Sequence, residues 1–202
     1  MISMYFGLPG SGKSTLACKL AYDSLKRGRD VYINFHADIE YKGKKAVYIP
    51  NEVIGNYDLS GGLIIIDEAT LFADNRNYKS FDKTEFFMLH RHYKNDIILL
   101  SQGYNAVDKK LRTLTVNLYY IQKSGILQRW VTKYVPIAYG IHFPDGDKLG
   151  EIVEGYSKPS LLSRLFTTKH VWRPRWYKCF DTYEAPELPP LSEYWKKNQP
   201  HA

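Results

Sequence analysis

Residues 7–14, with the sequence GLPGSGKS, match the pattern G-x-x-x-x-G-K-[ST] at every fixed position. Residues 1–6 (MISMYF), just before this stretch, are apolar and aromatic enough to form a buried strand. Residues 15–27, just after it, carry leucines and alanines at helical spacing. A glycine-rich loop between a strand and a helix predicts a phosphate-binding loop, because glycines let backbone N–H groups turn towards phosphate oxygens.

The loop pattern assigns chemical roles to individual residues. Lys13 is expected to reach the β- and γ-phosphates of ATP, and the Ser14 hydroxyl is expected to bind Mg²⁺. The alternative interpretation is an ordinary Gly-Pro turn that opens a helix. The predicted nucleotide-binding residues are Gly7, Pro9, Gly10, Ser11, Gly12, Lys13, Ser14 and Thr15.

The composition is typical of one α/β domain, alone or with a short appendage. The chain has 202 residues, of which 44% are hydrophobic, and its formal net charge is +7. A basic balance favours an acidic partner, either nucleic acid or an anionic membrane face. The only cysteines are Cys18 and Cys179, so no disulfide framework is expected, and Cys18 is predicted to fill the core.

No stretch of the sequence indicates secretion or membrane insertion. No apolar run approaches the roughly 20 residues that span a bilayer. The N-terminus leads directly into the predicted strand and loop, which leaves no room for a signal peptide. Histidine and cysteine do not occur at zinc-ligand spacing. We therefore expect a soluble, cytoplasmic protein with no transmembrane segment of its own and no metal other than Mg²⁺.

Residues 63–68 (LIIIDE) carry the second functional signal, four apolar residues followed by Asp67 and Glu68. A continuous apolar run is typical of a strand buried on both faces of a parallel sheet, and α/β proteins place their chemistry at the carboxyl ends of such strands. This is a Walker B pattern, in which Asp67 holds Mg²⁺ through water and Glu68 polarises the attacking water. The alternative is a buried strand that leaves the sheet through a charged turn.

A third signal is the polar end of the next buried strand, predicted over residues 96–100. This strand runs into Ser101 and Gln102. A polar side chain beside the Walker B strand can contact the γ-phosphate and report its hydrolysis, so Gln102 is the candidate sensor. The alternative is that Gln102 only caps a loop.

The remaining elements follow from periodicity and turn residues. Residues 37–45 are predicted to form a loop or a hairpin turn. His90 and His92 are two apart and point to different helix faces, so a shared metal is not expected and surface or supporting roles are. The other predicted elements are strands at 30–34, 46–49 and 116–122, helices at 81–93 and 107–114, and a hairpin partner strand at 127–135.

These elements predict an α/β fold with a mostly parallel central sheet flanked by helices. The phosphate loop, the Asp-Glu pair and the intervening strand fit the additional-strand, catalytic-glutamate class of P-loop NTPases, in which the sensor strand separates the loop strand from the Walker B strand. The hairpin is expected to extend the sheet edge. We expect an ATPase core over residues 1–140 and an irregular basic and aromatic extension with a Pro-rich tail over residues 141–202.

Two stretches concentrate positive charge. Residues 109–135 and residues 157–178 each contain six Lys or Arg and no Asp or Glu. The second stretch interleaves its basic residues with aromatic ones, which suits a phosphodiester backbone and exposed bases. The alternative is a solvated basic face whose aromatic residues pack onto the core. The interleaved residues are Arg164, Lys169, Arg173 and Arg175 with Phe166, Trp172, Trp176 and Tyr177.

Together the motifs resemble the Zot (zonular occludens toxin) domain of filamentous-phage assembly ATPases, which are related to DNA-pumping ATPases of the FtsK/HerA type. The motifs are GLPGSGKST, LIIIDEA, HRHYKNDIILLSQ and DKKLR. The resemblance covers residues 1–135 and resumes at residues 177–183 (YKCFDTY). The block that begins with His90 and ends at Gln102 is its most specific part.

The resemblance implies an ATPase that uses ATP and Mg²⁺ and acts as a homo-oligomeric ring. DNA and a phage structural or membrane protein are the partners it implies. Arg112 becomes a candidate finger that reaches the ATP of a neighbouring subunit, with Arg91 or Arg129 as alternatives. The implied site residues are Lys13 and Ser14 on MgATP, Asp67 on Mg²⁺, Glu68 as the base and Gln102 as the sensor.

In one respect the sequence departs from this pattern. Filamentous-phage members continue into a membrane-spanning segment and a periplasmic region, whereas this sequence stops at Ala202. We therefore expect either a separate membrane partner, which would hold the protein at the inner face of the host membrane, or a soluble packaging motor in the host cytoplasm.

Three functions follow from these observations. The first is a motor that hydrolyses ATP to drive virion assembly or extrusion, or DNA packaging or translocation. The second is a nucleotide-dependent switch that binds a capsid or membrane partner. The third is a small-molecule kinase, against which stand Asp67 and Glu68 at a buried strand end and the lack of an Arg-rich lid.

Overall fold

A single large β-sheet holds most of the strands of the protein. The computed structural model describes residues 1–69, 81–123, 127, 130–139, 156–157 and 167–180. The strands are β1 (Ile2–Phe6), β2 (Val31–Ile33), β3 (Glu40–Tyr41), β4 (Lys44–Lys45), β5 (Val47–Tyr48), β6 (Leu63–Ile66), β7 (Asp96–Ser101), β8 (Asn117–Lys123), β9 (Val131–Tyr139), β10 (Tyr156–Ser157) and β11 (Lys169–Trp172). The α-helices are α1 (Lys13–Lys26), α2 (Phe81–Leu89) and α3 (Lys109–Leu114).

The strand order of the large sheet is β10-β9-β8-β1-β7-β6-β2-β5, and β11 also pairs with β9. The strands from β8 to β5 in this order run parallel, whereas β9 is antiparallel to β8. The mostly parallel sheet and the edge hairpin were both predicted and are confirmed. The predicted order of the central strands is also confirmed, since β7 lies between β1 and β6. The loop after β1 and the acids after β6 therefore flank the end of β7.

The sheet is buried on both faces, which gives a three-layer architecture. Leu63 and Ile65 of β6 pack in the core on the α1 side. Ile64 and Ile66 pack in the opposite core, with Phe86 and Phe87 of α2 and Leu111 of α3. The four consecutive apolar residues of β6 follow from this burial, because neighbouring side chains of a strand point to opposite faces.

Helix α2 is shorter than predicted. It ends at Leu89, and a turn with Lys94 in the left-handed region (φ 54°) carries the chain into β7. Tyr93 lies outside the helix, although its ring still stacks on Phe86 at 5.7 Å between centroids. The periodicity of the sequence predicts too long a helix. In the structure Asn95 N donates to His90 O at 2.9 Å, which closes a turn after the helix and redirects the chain.

His90 is not a helix-surface residue. It lies just after α2 and is only 5% exposed, while His92 is exposed. His90 Nδ1 is 2.7 Å from Phe87 O, and among the described residues Nε2 has no hydrogen-bond partner. The described residues contain no group of three or more His, Cys, Asp or Glu that can hold a metal ion.

Other predicted elements agree with the structure apart from shifts at their ends. Residues 40–45 form the β3–β4 hairpin. Helix α3 begins after Asp108, whose carboxylate accepts a hydrogen bond from Lys110 N at 2.7 Å. Cys18 is fully buried, as predicted. No helix of the described ranges combines the length and apolar character needed to cross a membrane.

The C-terminal stretch is less irregular than predicted, since β10 and β11 both pair antiparallel with β9. Strand β8 pairs with only one edge of β9. The N–H and C=O groups on the other edge need partners, and β10 and β11 supply them. Residues 181–202, which include the predicted Pro-rich tail, lie outside the described residues. The boundary at residue 140 remains a prediction.

The burial of His90 predicts a pH dependence of stability. Burial lowers the pKa of His90, with smaller lowering effects from the Met1 amino group and Arg91, and opposing effects from Phe87 O and Asp96. In the unfolded chain His90 therefore takes up a proton near pH 6.5, whereas in the folded protein it does so only at lower pH. The free energy of unfolding should fall as the pH drops below about 6.5, by at most about 1.4 kcal/mol per pH unit.

Urea denaturation of wild type and of His90→Gln between pH 5 and 8 measures this effect. His92→Gln is the matched control, because His92 is exposed in the same turn. His90→Gln should flatten the dependence and His92→Gln should retain it. An equally steep dependence in His90→Gln would contradict the assignment.

Candidate nucleotide site

The glycine loop connects β1 to α1 and is held against the ends of neighbouring strands. Gly7 N donates to Ser101 O of β7 at 3.1 Å. A Cβ atom on Gly7 would lie 2.6 Å from Ile121 O of β8, so no larger residue fits there. Gly10 and Gly12 have φ values of 73° and 99°, in the region that favours glycine.

The N-terminus of α1 has the features of an anion site. Gly12 is the N-cap and no side chain caps the helix. The first-turn N–H groups, which have no partner within a helix, therefore face outwards at the positive end of the helix dipole. Ser11 Oγ is buried and has no hydrogen-bond partner among the described residues. These donors fit the phosphate groups of a nucleotide.

Lys13 lies at the start of α1 and folds back over the loop. Its Nζ donates to Gly7 O at 3.0 Å and to Leu8 O at 3.4 Å. Burial lowers the pKa of Lys13, while the nearby carboxyl groups of Asp67 and Glu68 oppose this effect. The structure therefore brings the predicted lysine and both predicted acids into one electrostatic environment.

Asp67 and Glu68 follow β6 directly, at the end of the sheet that carries the loop. Glu68 N donates to Asp67 Oδ1 at 2.9 Å. Burial raises the pKa of the Asp67 carboxyl, against the lowering effects of the Glu68 amide and of Lys13. A cation beside Asp67 would offset that burial, and a carboxylate together with the Ser14 hydroxyl supplies the oxygen ligands that Mg²⁺ prefers.

The backbone of Glu68 is strained. Its φ of 52° lies in the left-handed region, which few residues other than glycine adopt. Such strain costs about 1–3 kcal/mol and persists only where the surroundings enforce it. Glu68 is exposed next to the partly buried Asp67, so the two adjacent acids have different environments.

Asn34 is a site residue that the sequence analysis missed. It follows β2, and its side-chain amide forms two hydrogen bonds with the backbone of Asp67. Asn34 Oδ1 accepts from Asp67 N at 2.7 Å, and Nδ2 donates to Asp67 O at 3.0 Å. Asn34 Nδ2 also donates to Asn51 Oδ1 at 3.0 Å. The available signal was a polar residue directly after a strand, the same signal that selected Gln102.

Gln102 follows β7 and is exposed at the edge that carries the loop. The preceding Ser101 pairs with Phe6, the last residue before the loop. Ser101 Oγ donates to Gly103 O at 2.8 Å, which shapes the turn after β7. The fold thus places Gln102 between the loop and the acids in strand order, while its role as a sensor remains a proposal.

The candidate finger residues lie in different places. Arg112 of α3 stacks over the Tyr104 ring at 4.8 Å, and Nη1 donates to Asn105 Oδ1 at 2.7 Å. Arg91 lies in the exposed turn before β7, at the opposite end of the strands from the loop. Arg129 is outside the described residues.

Two further residues contact the loop from the distant C-terminal strands. Thr132 of β9 is fully buried, and its Oγ1 donates to Ser11 O at 3.2 Å. Arg173, just after β11, donates from Nη2 to Gly10 O at 3.4 Å. No sequence signal links these residues to the loop, because more than a hundred positions separate them from it. The sequence analysis assigns Arg173 only to the basic stretch over residues 157–178.

The family of the chain follows from a match to a known family model. Residues 43–160 match the family model of zonular occludens toxin (Zot). The chain belongs to the Zot family. The resemblance inferred from the motifs is thereby confirmed, although the matched stretch begins after the glycine loop. No curated protein matches this Zot-family sequence.

Solved structures share the fold. The N-terminal domain of zonular occludens toxin from Neisseria meningitidis is similar with a TM-score of 0.52 and 21% identity, over 67% of this chain and 82% of that chain. The genome packaging NTPase B204 from Sulfolobus turreted icosahedral virus 2, in complex with sulfate, is similar with a TM-score of 0.52 and 13% identity, over 67% of this chain and 90% of that chain. These likenesses confirm the P-loop NTPase fold of this Zot-family protein.

Substitution of Gly12 tests the packing of the loop. A Cβ atom at Gly12 would lie 2.0 Å from Thr132 Oγ1, and its φ of 99° disfavours a side chain as well. Gly12→Ala should cost roughly 2–4 kcal/mol of unfolding free energy from strain and overpacking. Urea denaturation measures this cost, and titration with a fluorescent ATP analogue should show lost binding.

Gly28→Ala is the matched control. Gly28 also has a left-handed φ of 81°, but no atom lies within 4 Å of a Cβ built there. It should cost only about 1–2 kcal/mol and preserve nucleotide binding. Equal effects of the two substitutions would show that loop packing is not the cause.

Proposed function

We propose that this Zot-family protein is an ATP-hydrolysing motor of a phage or mobile element, which drives virion assembly or extrusion, or DNA packaging or translocation. The observation that carries the proposal is the placement of Lys13 and the adjacent acids Asp67 and Glu68 at the same end of the sheet. The Asp67 and Glu68 carboxyl groups act to raise the pKa of Lys13, and Lys13 acts to lower the pKa of Asp67, which supports this grouping.

The residues divide the work of hydrolysis. First-turn amides and Lys13 would bind the phosphates of ATP, and Ser14 and Asp67 would hold Mg²⁺, which would supply charge neutralisation at the γ-phosphate. Glu68 accepts a proton from the attacking water, and Gln102 orients toward the γ-phosphate. Asn34 positions the Asp67 backbone through two hydrogen bonds.

Two observations favour hydrolysis with a DNA load over transfer to a small molecule. The order β1-β7-β6 is the one expected for the catalytic-glutamate class rather than for a kinase. B204, whose fold is similar, is a genome packaging NTPase. Family membership supports a role in phage biology, since the resemblance is to phage assembly ATPases.

A surface for DNA is formed where the two basic stretches meet. Strand β9 from the first stretch pairs with β11 from the second. Trp130 and Trp172 are 49% and 56% exposed and stack on each other at 5.7 Å between ring centroids. Lys133 lies on the same face of these strands as Trp172, and exposed indoles with a basic neighbour suit base stacking and phosphate contact. The other proposed partners are identical subunits, which form a ring, and a phage structural or membrane protein. The motor acts in the host cytoplasm, or at the inner membrane when the membrane partner holds it there.

Two substitutions separate nucleotide binding from hydrolysis. Lys13→Ala should weaken ATP binding and abolish hydrolysis, because the loop loses its cation. Glu68→Gln should retain bound ATP and lose roughly 10²–10⁴ in kcat, the usual contribution of a general base. Lys26→Ala and Glu85→Gln are the controls, since Lys26 is exposed at the end of α1 remote from the loop and Glu85 is exposed on α2. Wild-type turnover by Glu68→Gln would show that the base has been misassigned.

The load is tested by the ATPase rate with single-stranded DNA, with double-stranded DNA and without DNA over a salt series. A motor should be activated by DNA, and the activation should fall as salt rises, because phosphate contacts release counterions. Slow turnover that neither DNA stimulates at low salt would favour the alternative, a nucleotide-dependent switch for a capsid or membrane partner.

Mixing of variants tests Arg112 as a finger acting on a neighbouring subunit. Arg112→Gln and Lys13→Ala should each be inactive alone, since a finger supplies about 10³–10⁵ in kcat. Mixed rings should regain activity, because Arg112 of a Lys13→Ala subunit can complete the intact loop of its neighbour. Absence of recovery in rings shown by light scattering to be mixed would rule out this role for Arg112.

A further inference from the structure

Arg173 lies against the phosphate loop although it is 163 positions away from Gly10. Its Nη2 donates to Gly10 O at 3.4 Å. Its Nε would lie 3.3 Å from a Cβ atom built on Gly12. The guanidinium group therefore lies beside Gly10 and Gly12, in the loop that is expected to bind phosphate groups.

The backbone on both sides of Arg173 is fixed. Arg173 N donates to Trp130 O at 2.8 Å. Val171 and Trp176 are 1% and 6% exposed and belong to the core on the α1 side. The Trp176 ring also packs edge-on against Tyr22 of α1 at 5.4 Å. The segment that carries Arg173 is thus anchored on the same helix whose N-terminus forms the loop.

This placement brings a permanent positive charge to an anion site. A guanidinium group has five donors in a rigid plane that matches phosphate oxygens, and it remains charged at all relevant pH values. Hydrogen bonds to an ionised acceptor are roughly twice as strong as those to a neutral carbonyl. A phosphate in the loop is therefore a better partner for Arg173 than Gly10 O is.

We propose that Arg173 is a phosphate-binding residue for the nucleotide in the loop of its own subunit. On ATP binding, its guanidinium exchanges the Gly10 carbonyl for phosphate oxygens and supplements the charge of Lys13. The proposal rests on the proposed ATP binding at the loop. Little side-chain ordering is needed on binding, because the group already lies on the loop.

Nucleotide titrations of Arg173→Gln test the proposal, with MgATP and MgADP followed by calorimetry. Loss of a charged hydrogen-bond partner should raise Kd by about 10- to 100-fold. Arg173→Lys keeps the charge but not the planar fork, so its Kd should be intermediate. Arg27→Gln is the control, because Arg27 is exposed at the other end of α1, about 20 Å from the loop. Its Kd should equal that of wild type.

Thermal unfolding without nucleotide distinguishes binding from bracing. If Arg173 only supports the Gly10 carbonyl, Arg173→Gln should lower Tm while the folded protein binds MgATP with the wild-type Kd, and the proposal would be wrong. A near wild-type Tm with weakened binding supports it.

Mixing tests whether Arg173 acts within its own subunit. Arg173→Gln mixed with Lys13→Ala should recover no activity, because neither subunit holds a complete loop site. Recovery would place Arg173 on a neighbour's nucleotide and overturn the proposal.

Failure of the proposed function would be separately visible. If wild type and Lys13→Ala bound MgATP equally poorly, both proposals would fall. If they differed while Arg173→Gln bound as wild type did, only the role of Arg173 would be wrong.

Discussion

The structure depends on a close fit between a glycine backbone and the strands around it. The loop after β1 fills a space in which Gly7 meets Ile121 O and Gly12 meets the Thr132 hydroxyl. The same fit turns the first N–H groups of α1 outwards and leaves the helix without a side-chain cap. Packing and anion binding thus impose the same requirement, that these positions have no side chain.

Strand order brings the parts of the candidate site together. Because β7 separates β1 from β6, the loop, Gln102 and the two acids lie at the ends of three adjacent parallel strands. Such ends meet at one edge of the sheet, where α/β proteins bind ligands. Asn34, at the end of the next strand, fixes the Asp67 backbone from the other side. Four strand ends therefore contribute to the site.

The C-terminal strands connect this centre to the basic surface. Thr132 of β9 contacts the loop. Strand β9 also pairs with β11, which ends at Trp172. Arg173 is bonded through its backbone to Trp130, which stacks on Trp172, and its side chain reaches Gly10. A few residues thus connect the loop to the surface proposed for DNA.

The sequence by itself determined the strand–loop–helix unit and the buried β6 strand with its two acids, because these depend on local periodicity and on motifs of adjacent residues. The order of the core strands followed from the class of P-loop NTPase that these motifs fit. The sequence placed the end of α2 too late, since the turn that stops the helix is set by His90 and Asn95 rather than by periodicity. Only the tertiary structure decided that Asn34, Thr132 and Arg173 belong to the site. The contacts of Thr132 and Arg173 join segments more than a hundred positions apart, which no period or spacing in a single sequence records. Asn34 carries a sequence signal, a polar residue directly after β2, but only the structure shows its two hydrogen bonds to the Asp67 backbone.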